Sequence, residues 1–459
     1  MFFKPKIFKS YDIRGIYPKE INEKTAEKVG MSFVEFLNQT NKNKNPKKLN
    51  IVVGRDNRIS SKSLFKSLSK GIMDCGANVI DIGLSTSPML YWAVAHYKFD
   101  GGVEITASHN SPQYNGFKLV RKNAVPISGS SGLELIKNII KKNELKPYKL
   151  KGKIIHKKVF KEYLKFIFSR IDVKNIQSFK VVADTANAVS GIVAHGVLKK
   201  MNCKYYHLFS TLDNKFPNHF PNPLLKKNLR SICQKIKDKK ADLGIAFDGD
   251  GDRIVFIDEN GRIVSGDIIT AIMAQFILRE NSQQKILYDL CSSRIVKETI
   301  LQNKGIPRIS RKGHSFIKEK MRREDILFGG EFSGHYYYKK HYFSESPFFV
   351  LFKILEEMSK TKKKFSDLTQ PLNKYFHSGE INFKIKNKKE ILKKLEKKYS
   401  KGKISHLDGL KIDFKDWWFN ARFSQTEPLL RLIVEAKTKK TMNLKKKELK
   451  SLICRKCRG

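Results

Sequence analysis

The chain is 459 residues long, 40 % hydrophobic, and carries a formal net charge of +47. That length exceeds one ordinary core and implies two to four domains. No run of about eighteen apolar residues is available to cross a bilayer, Phe2 and Phe3 lead straight into Lys4 and Pro5 rather than a signal peptide, and the scattered cysteines set no disulfide framework, so a reduced, cytoplasmic setting is expected.

A balance this basic is the electrostatic footprint of nucleic acid or anionic surfaces. Here, however, the lysines are spread along the whole chain, with short runs at 362–364 and 445–447, among abundant Asn, Ile and Phe. A compositional bias accounts for that pattern, and the basic stretches lack regularly interleaved stacking aromatics. Nucleic acid is therefore expected to bind weakly and non-specifically at most. Cys454 and Cys457 form a CxxC pair, but no second pair completes a zinc site.

In chain order, residues 51–54 read as an apolar strand leading into a polar loop and a helix near 63–75. A second strand from Val103 runs into TASHNSPQYNGFK at 106–118. The layout returns twice. Residues 181–183 open a unit whose second strand, from Leu243, ends in DGDGDR before strand-like 254–257. Residues 286–287 open another, whose second strand from Ile326 ends in GGEFSGH. Three related α/β domains with functional loops at strand ends are expected. Past residue 364 the pattern changes to strands near 380–385, 410–414 and 430–436 with basic helices at 388–399 and at the end, an α+β domain. Candidate linkers at 147–152, 260–261 and 361–371 divide the chain into 1–150, 151–258, 259–364 and 365–459.

Four loops carry chemistry. Ser108 ends a strand within a loop rich in hydrogen-bonding groups, where a hydroxyl can be oriented, and His109 and Lys118 add an imidazole and a cation. Sequence neighbours cannot make a Ser-His-Asp triad and no G-x-S-x-G frames the serine, although the run alone also suits a turn or helix cap. In DGDGDR, Asp248, Asp250 and Asp252 alternate with glycine after an apolar strand. That spacing aims three carboxylates at one point, the oxygen cage of a divalent cation. An EF-hand would need glycine where Arg253 stands. Glu331, Ser333 and His335 alternate through small residues, a set suited to adjacent sugar hydroxyls. In RFSQTEP, Arg422, Ser424 and Thr426 join a guanidinium to two hydroxyls, a phosphate-binding combination. Each of the last two also reads as a polar turn.

Together these loops resemble the α-D-phosphohexomutase family, in its bacterial phosphomannomutase/phosphoglucomutase branch. The resemblance runs from YDIRG at 11–15 through GRDNR at 54–58 and the four loops to VEA at 434–436. It implies three related mixed α/β domains plus a C-terminal α+β domain, heart-shaped around a central cleft lined by one loop from each. Ser108 would be the phosphoserine, holding Mg²⁺ with Asp248, Asp250 and Asp252. Arg14, His109, Lys118 and Arg253 would surround the transferring phosphoryl group, with His109 and Lys118 both open as general base. Tyr11, His314 of KGHS, Glu331, Ser333 and His335 would meet the sugar, and Arg422, Ser424, Gln425 and Thr426 the distal phosphate.

The implied reaction interconverts mannose 6-phosphate and mannose 1-phosphate, and the glucose pair, through a hexose 1,6-bisphosphate that also serves as activator. Phosphosugars are the implied partners of a monomer or dimer. Phosphoglucosamine mutase is the nearest alternative, though YNGFK and GEFSGH look closer to the mannose/glucose branch. A phosphosugar-binding protein without catalysis is disfavoured by intact Ser108 and all three aspartates. Three departures bear on substrate range. Cys291 in DLCSSR stands where many bispecific members have lysine, Gln425 replaces Asn or Gly, and Glu345, Ser346 and Pro347 replace D-[DS]-G.

Overall fold

The computed structural model describes residues 4–40, 49–142, 144–170, 172–201, 203–385, 388–423 and 429–454. Three mixed sheets repeat one strand order. In the first, Asn50–Arg55 lies between parallel strands Asn78–Leu84 and Gly101–Ile105, and Tyr114–Arg121 returns antiparallel beside Gly101–Ile105. In the second, Lys180–Asp184 lies between Lys204–Leu208 and Leu243–Phe247, with Ile254–Asp258 returning. In the third, Lys285–Asp289 lies between Ile306–Ser310 and Phe328–Gly330, with Tyr336–Tyr338 returning. Strands such as Gly101–Ile105 and Leu243–Phe247 are buried throughout, which is why they read as apolar runs rather than alternations.

Short strands extend each sheet. Ile13–Ile16 pairs with Tyr114–Arg121, and Ile154–His156 lies beyond Asn78–Leu84. Ile263–Val264 joins the second sheet and Ser344–Glu345 the third. Strands Ile154–His156 and Ile263–Val264 thus lie past the ends expected at 150 and 258, and Phe365 packs into the core of the preceding units.

One apolar cluster runs through all three units, from Val52 through Val181 and Ile245 to Ile286 and Phe328. Helix Ser87–His96 explains how. Its Thr86 cap accepts from the Met89 amide at 3.4 Å, and Pro88 suits the first turn. Residues 87–95 are then buried on every side, with Trp92 beside Tyr163 and Phe166 at ring-centroid distances of 5.3 and 5.9 Å.

The fourth sheet is antiparallel, in the order Phe376–His377, Leu429–Ala436, Trp417–Phe423, Leu410–Asp413, Lys403–Ser405, and Ile381–Lys384 also pairs with Leu429–Ala436. It keeps its own core around Leu395, Phe419, Leu432 and Leu449. Polar contacts fasten it to the third unit. The Arg294 guanidinium reaches Asp413 at 3.2 Å and the Trp417 carbonyl at 3.1 Å. Glu435 accepts from the Arg294 amide at 3.1 Å and from Trp418 Nε1 at 2.7 Å.

Candidate active site

In each of the first three sheets, the connection between a buried parallel strand and its antiparallel return carries polar residues, and these three loops meet. Ser108 occupies the first with φ 51°, a left-handed backbone that side chains rarely adopt, and is only 2 % exposed. Thr106 Oγ1 accepts from its amide at 2.9 Å. Arg58, buried beside Asp56, donates to the carbonyls of Ser108, Asn110, Ser111 and Tyr114 at 2.7–3.1 Å. One guanidinium thus fixes the loop's backbone, a role the GRDNR motif signals only as a resemblance.

The acidic loop of the second unit presses directly against Ser108. A Cβ on Gly249 would lie 2.5 Å from the Ser108 carbonyl oxygen, and Gly251 has φ 67°, so both positions demand glycine. Asp248 Oδ1 accepts the amides of Asp252 and Arg253, each at 3.1 Å, curling the loop. Asp248 Oδ2 accepts from Ser108 Oγ at 2.7 Å. Ser87 ties the loop to the first unit, donating its amide to the Asp250 carbonyl at 3.0 Å and its hydroxyl to the Asp250 carboxylate.

Asp248, Asp250 and Asp252 are all buried, each with an oxygen within 4.8 Å of the others. Lys118 Nζ bridges Asp250 and Asp252 at 2.5 Å each. Burial opposes charge on Lys118, yet the two aspartates hold its pKa well above the ordinary value. Burial and its carboxylate neighbours push Asp248 well up. A divalent cation would relieve that repulsion, and Asp250 Oδ1 is buried without a hydrogen-bond partner among the described residues. The donor set fits a hard divalent metal.

Around this cluster stand Arg14, which donates to Asn110 Oδ1 at 2.7 Å and pairs with Asp12, and Arg253, 3.8 Å from Asp248. His109 Nδ1 is 3.2 Å from Ser108 Oγ. Burial, then Arg253 and Arg14, drive its pKa well down, so the imidazole is neutral.

The third loop borders the same cluster. His335 Nε2 lies 3.2 Å from Asp252 Oδ1, and His335 Nδ1 lies 2.9 Å from Ser333 Oγ. Burial opposes its charge, but Asp252 holds its pKa up at about 9. The protonated His335 forms an ion pair with Asp252, and Arg253 Nε approaches the same ring nitrogen at 3.3 Å. Burial would raise Glu331; His335 and the Ser333 hydroxyl outweigh it and hold it at about 2. His314 stacks edge-on against Tyr11 at 5.0 Å, with both ring nitrogens buried and unpartnered among the described residues. Asp289 joins two loops by accepting from the amides of Cys291 and Phe332 at 3.1 and 3.2 Å.

From the fourth sheet comes Arg422, 3 % exposed and paired with Glu380. Ser424, Gln425 and Thr426, together with Cys457, lie outside the described residues. Ser108, His109, Lys118, the three aspartates, Arg253, Glu331, Ser333 and His335 form one contact cluster, the core of the site, and Arg14 joins it through Asn110. Arg58, Ser87, Asp289, Glu380 and Lys312 are additional members that local spacing does not reveal.

Comparison with known proteins matches this arrangement along its whole length. The phosphoglucomutase/phosphomannomutase alpha/beta/alpha domains I, II and III match residues 5–147, 161–261 and 265–375, and the C-terminal domain of that family matches 380–451. A phosphomannomutase of Methanocaldococcus jannaschii is 40 % identical, with 99 % of each chain covered. The chain belongs to the phosphoglucomutase/phosphomannomutase family. A Vibrio cholerae phosphomannomutase is 38 % identical over 97 % of this chain and 98 % of its own. Among solved structures, a phosphoglucomutase/phosphomannomutase family protein from Burkholderia thailandensis superposes with a TM-score of 0.88 at 28 % identity, covering 98 % of both chains. These are isomerases of carbohydrate metabolism, and no helix among the described residues is long and apolar enough to cross a membrane.

Two departures from the family pattern now have surroundings. Glu345 is wholly buried 2.6 Å from Lys318, whose ammonium also lies 4.0 Å from the Tyr91 ring, and Pro347 begins helix Pro347–Thr361. Cys291 is buried, and burial followed by Asp289 pushes its thiol up to about 12, leaving it neutral. Gln425 is not among the described residues.

Proposed function

We propose that this phosphohexomutase-family enzyme interconverts mannose 6-phosphate with mannose 1-phosphate, and glucose 6-phosphate with glucose 1-phosphate, in the cytoplasm. Ser108 carries the phosphoryl group and a hexose 1,6-bisphosphate is the intermediate, which also loads Ser108 as activator. One observation carries the reading: an oriented, buried Ser108 hydroxyl 2.7 Å from Asp248, within a cluster of three aspartates and Lys118. The names of the relatives above support mannose as a substrate.

Phosphoryl transfer depends on in-line positioning and charge neutralisation. Asp248, Asp250 and Asp252, with the Ser108 phosphate, would hold Mg²⁺, which when bound supplies charge neutralisation at the transferring group. Arg14 and Arg253 supply fixed cations from two units. Lys118 stays protonated between Asp250 and Asp252, whereas His109 is neutral beside Ser108. His109 is therefore the better base for the sugar hydroxyl proton, and Lys118 the fixed cation. In the first half-reaction the phosphoserine P–O bond breaks, a P–O bond to the sugar oxygen forms, and the sugar hydroxyl proton passes by way of His109, 3.2 Å from Ser108 Oγ, to the departing serine oxygen. The second half reverses these steps with the other phosphate. Ionised Glu331 and Ser333 grip sugar hydroxyls, while Tyr11, His314 and His335 shape the pocket. Arg422 with Ser424, Gln425 and Thr426 holds the distal phosphate.

The purified protein should contain a species about 80 Da heavier, the mass of one phosphoryl group, that disappears on incubation with a hexose monophosphate. Specificity constants for mannose, glucose and glucosamine 1-phosphates, with bisphosphate present, should favour the first two. A preference for glucosamine 1-phosphate would overturn the substrate assignment, and absence of both the heavy species and turnover would overturn the mutase reading.

A further inference from the structure

We propose that Lys312 binds the non-reacting phosphate of the substrate, and that its ion pair with Glu380 is the resting contact which that phosphate replaces. The inference rests on the reading that Arg422 faces the distal phosphate.

Arg422 and Arg431 are directly opposite on strands Trp417–Phe423 and Leu429–Ala436. Two guanidiniums side by side repel unless an anion sits between them. Glu380 supplies it, with Oε1 3.0 Å from Arg431 and Oε2 2.5 Å from Arg422. It immediately precedes Ile381–Lys384, which pairs with the same Leu429–Ala436 strand, so carboxylate and both arginines belong to one sheet. Lys312 does not. It stands on the loop between Ile306–Ser310 and helix His314–Glu324 of the third unit, and reaches Glu380 Oε2 across the gap at 3.4 Å.

That reach is the weak part of the cluster. The Lys312 side chain is 23 % exposed and its contact long, whereas Arg422 is 3 % exposed and close to the carboxylate. Ion pairs with such exposure are loosely held, so Glu380 keeps its place without Lys312. Among the described residues Arg422, Arg431 and Lys312 all meet this one carboxylate. Burial raises Asp408, whose carboxylate accepts from the Lys312 amide at 3.4 Å, above its ordinary value. Arg422 Nε is buried without a partner among the described residues, an open donor at the same place.

The Lys312 ammonium also looks inward. Burial raises Tyr11 in the first unit and Asp289 in the third, and the Lys312 charge opposes both rises; at Glu331 it adds to the larger lowering by His335. Cys291, within the field of both Arg422 and Lys312, is a neutral thiol and contributes no charge. A phosphate ester dianion entering between Arg422 and the sugar loop would therefore find in Lys312 a mobile cation beside a fixed one.

The test compares the full-length protein with Lys312→Met and Lys312→Arg. Lys312→Met should raise the Michaelis constant for mannose 1-phosphate about tenfold, the scale of one lost charge-assisted contact, with kcat within about twofold. Inhibition by inorganic phosphate should weaken in parallel, and Lys312→Arg should restore most of both. Unchanged Michaelis constant and phosphate inhibition in Lys312→Met would overturn the assignment. So would a loss that Lys312→Arg does not recover and that accompanies a lowered melting temperature, which would mark Lys312 as an interdomain tie. If the parent protein turns over no hexose phosphate, the mutase reading fails by itself. Calorimetric titration with inorganic phosphate, parent against Lys312→Met, then decides the role of Lys312 alone.

Discussion

Two lysines of the proposed site differ in their surroundings. Lys118 is 6 % exposed and locked between two buried aspartates at 2.5 Å. Lys312 is 23 % exposed and reaches a carboxylate already satisfied by two arginines. At the reacting end the cation must not move, because geometry set before the reaction is what lowers the barrier. At the proposed binding end it would exchange partners, because in the proposed mechanism a bisphosphate lets go and turns before its second phosphate reacts. Burial fixes one charge, and partial exposure frees the other.

The reacting end gives the largest effects. Ser108→Ala should lower turnover by about 10³-fold or more, the scale of losing a covalent step, without changing binding of inorganic phosphate at the far end. Near-normal turnover, measured with bisphosphate present, would remove Ser108 from the chemistry.

Lys118→Met should come next and act on stability as well as rate. It strips the ammonium from between buried carboxylates, a change that costs about 3–5 kcal/mol. The thermal midpoint should fall, and added divalent cation should recover part of it if the carboxylates are its ligands, as proposed. A midpoint equal to that of Lys312→Met would erase the contrast between the two lysines.

The smallest effect is at Glu380. Burial would raise its carboxyl, but Lys312 and the two arginines hold it at about 2, below its ordinary 4.5. A depressed folded-state pKa contributes stability that is full above about pH 4.5 and is lost as pH falls towards about 2. In acid titrations followed by the fluorescence of Trp417 and Trp418, the stability gap between parent and Glu380→Gln should close across that window. A gap independent of pH would show that the cations do not favour the ionised form.

Much of this site is legible in the sequence because its residues are local. Asp248, Asp250 and Asp252 alternate with glycines, one required by the close approach to Ser108 and one by its positive φ, and Glu331, Ser333 and His335 alternate after a buried strand. The repeat of strand and loaded loop is legible for the same reason. The return strand Tyr114–Arg121 is less so, since Asn115 and Lys118 interrupt its apolar run to hold Ser60, Ser61 and the aspartates. There function overrides the periodic signal. Lys312 falls in the KGHS run and Glu380 opens a strand-like stretch, yet nothing in either marks the two as partners. They lie on separate loops of different units, and one lysine cannot stand out among 91 basic residues.

Helix Ser87–His96 has a consequence for the history of such a molecule. Three units that share a strand order suggest tandem copying of one ancestral module, yet this helix has no face that water could cover. Its Trp92 and Met89 are lodged in an apolar mass to which the second and third units contribute as much as the first. Cut loose, the first repeat would expose that helix and clump through it, as large bare apolar patches do. The copies have therefore surrendered their independence: whatever the founding module was, its descendants can no longer be taken apart or reshuffled one at a time.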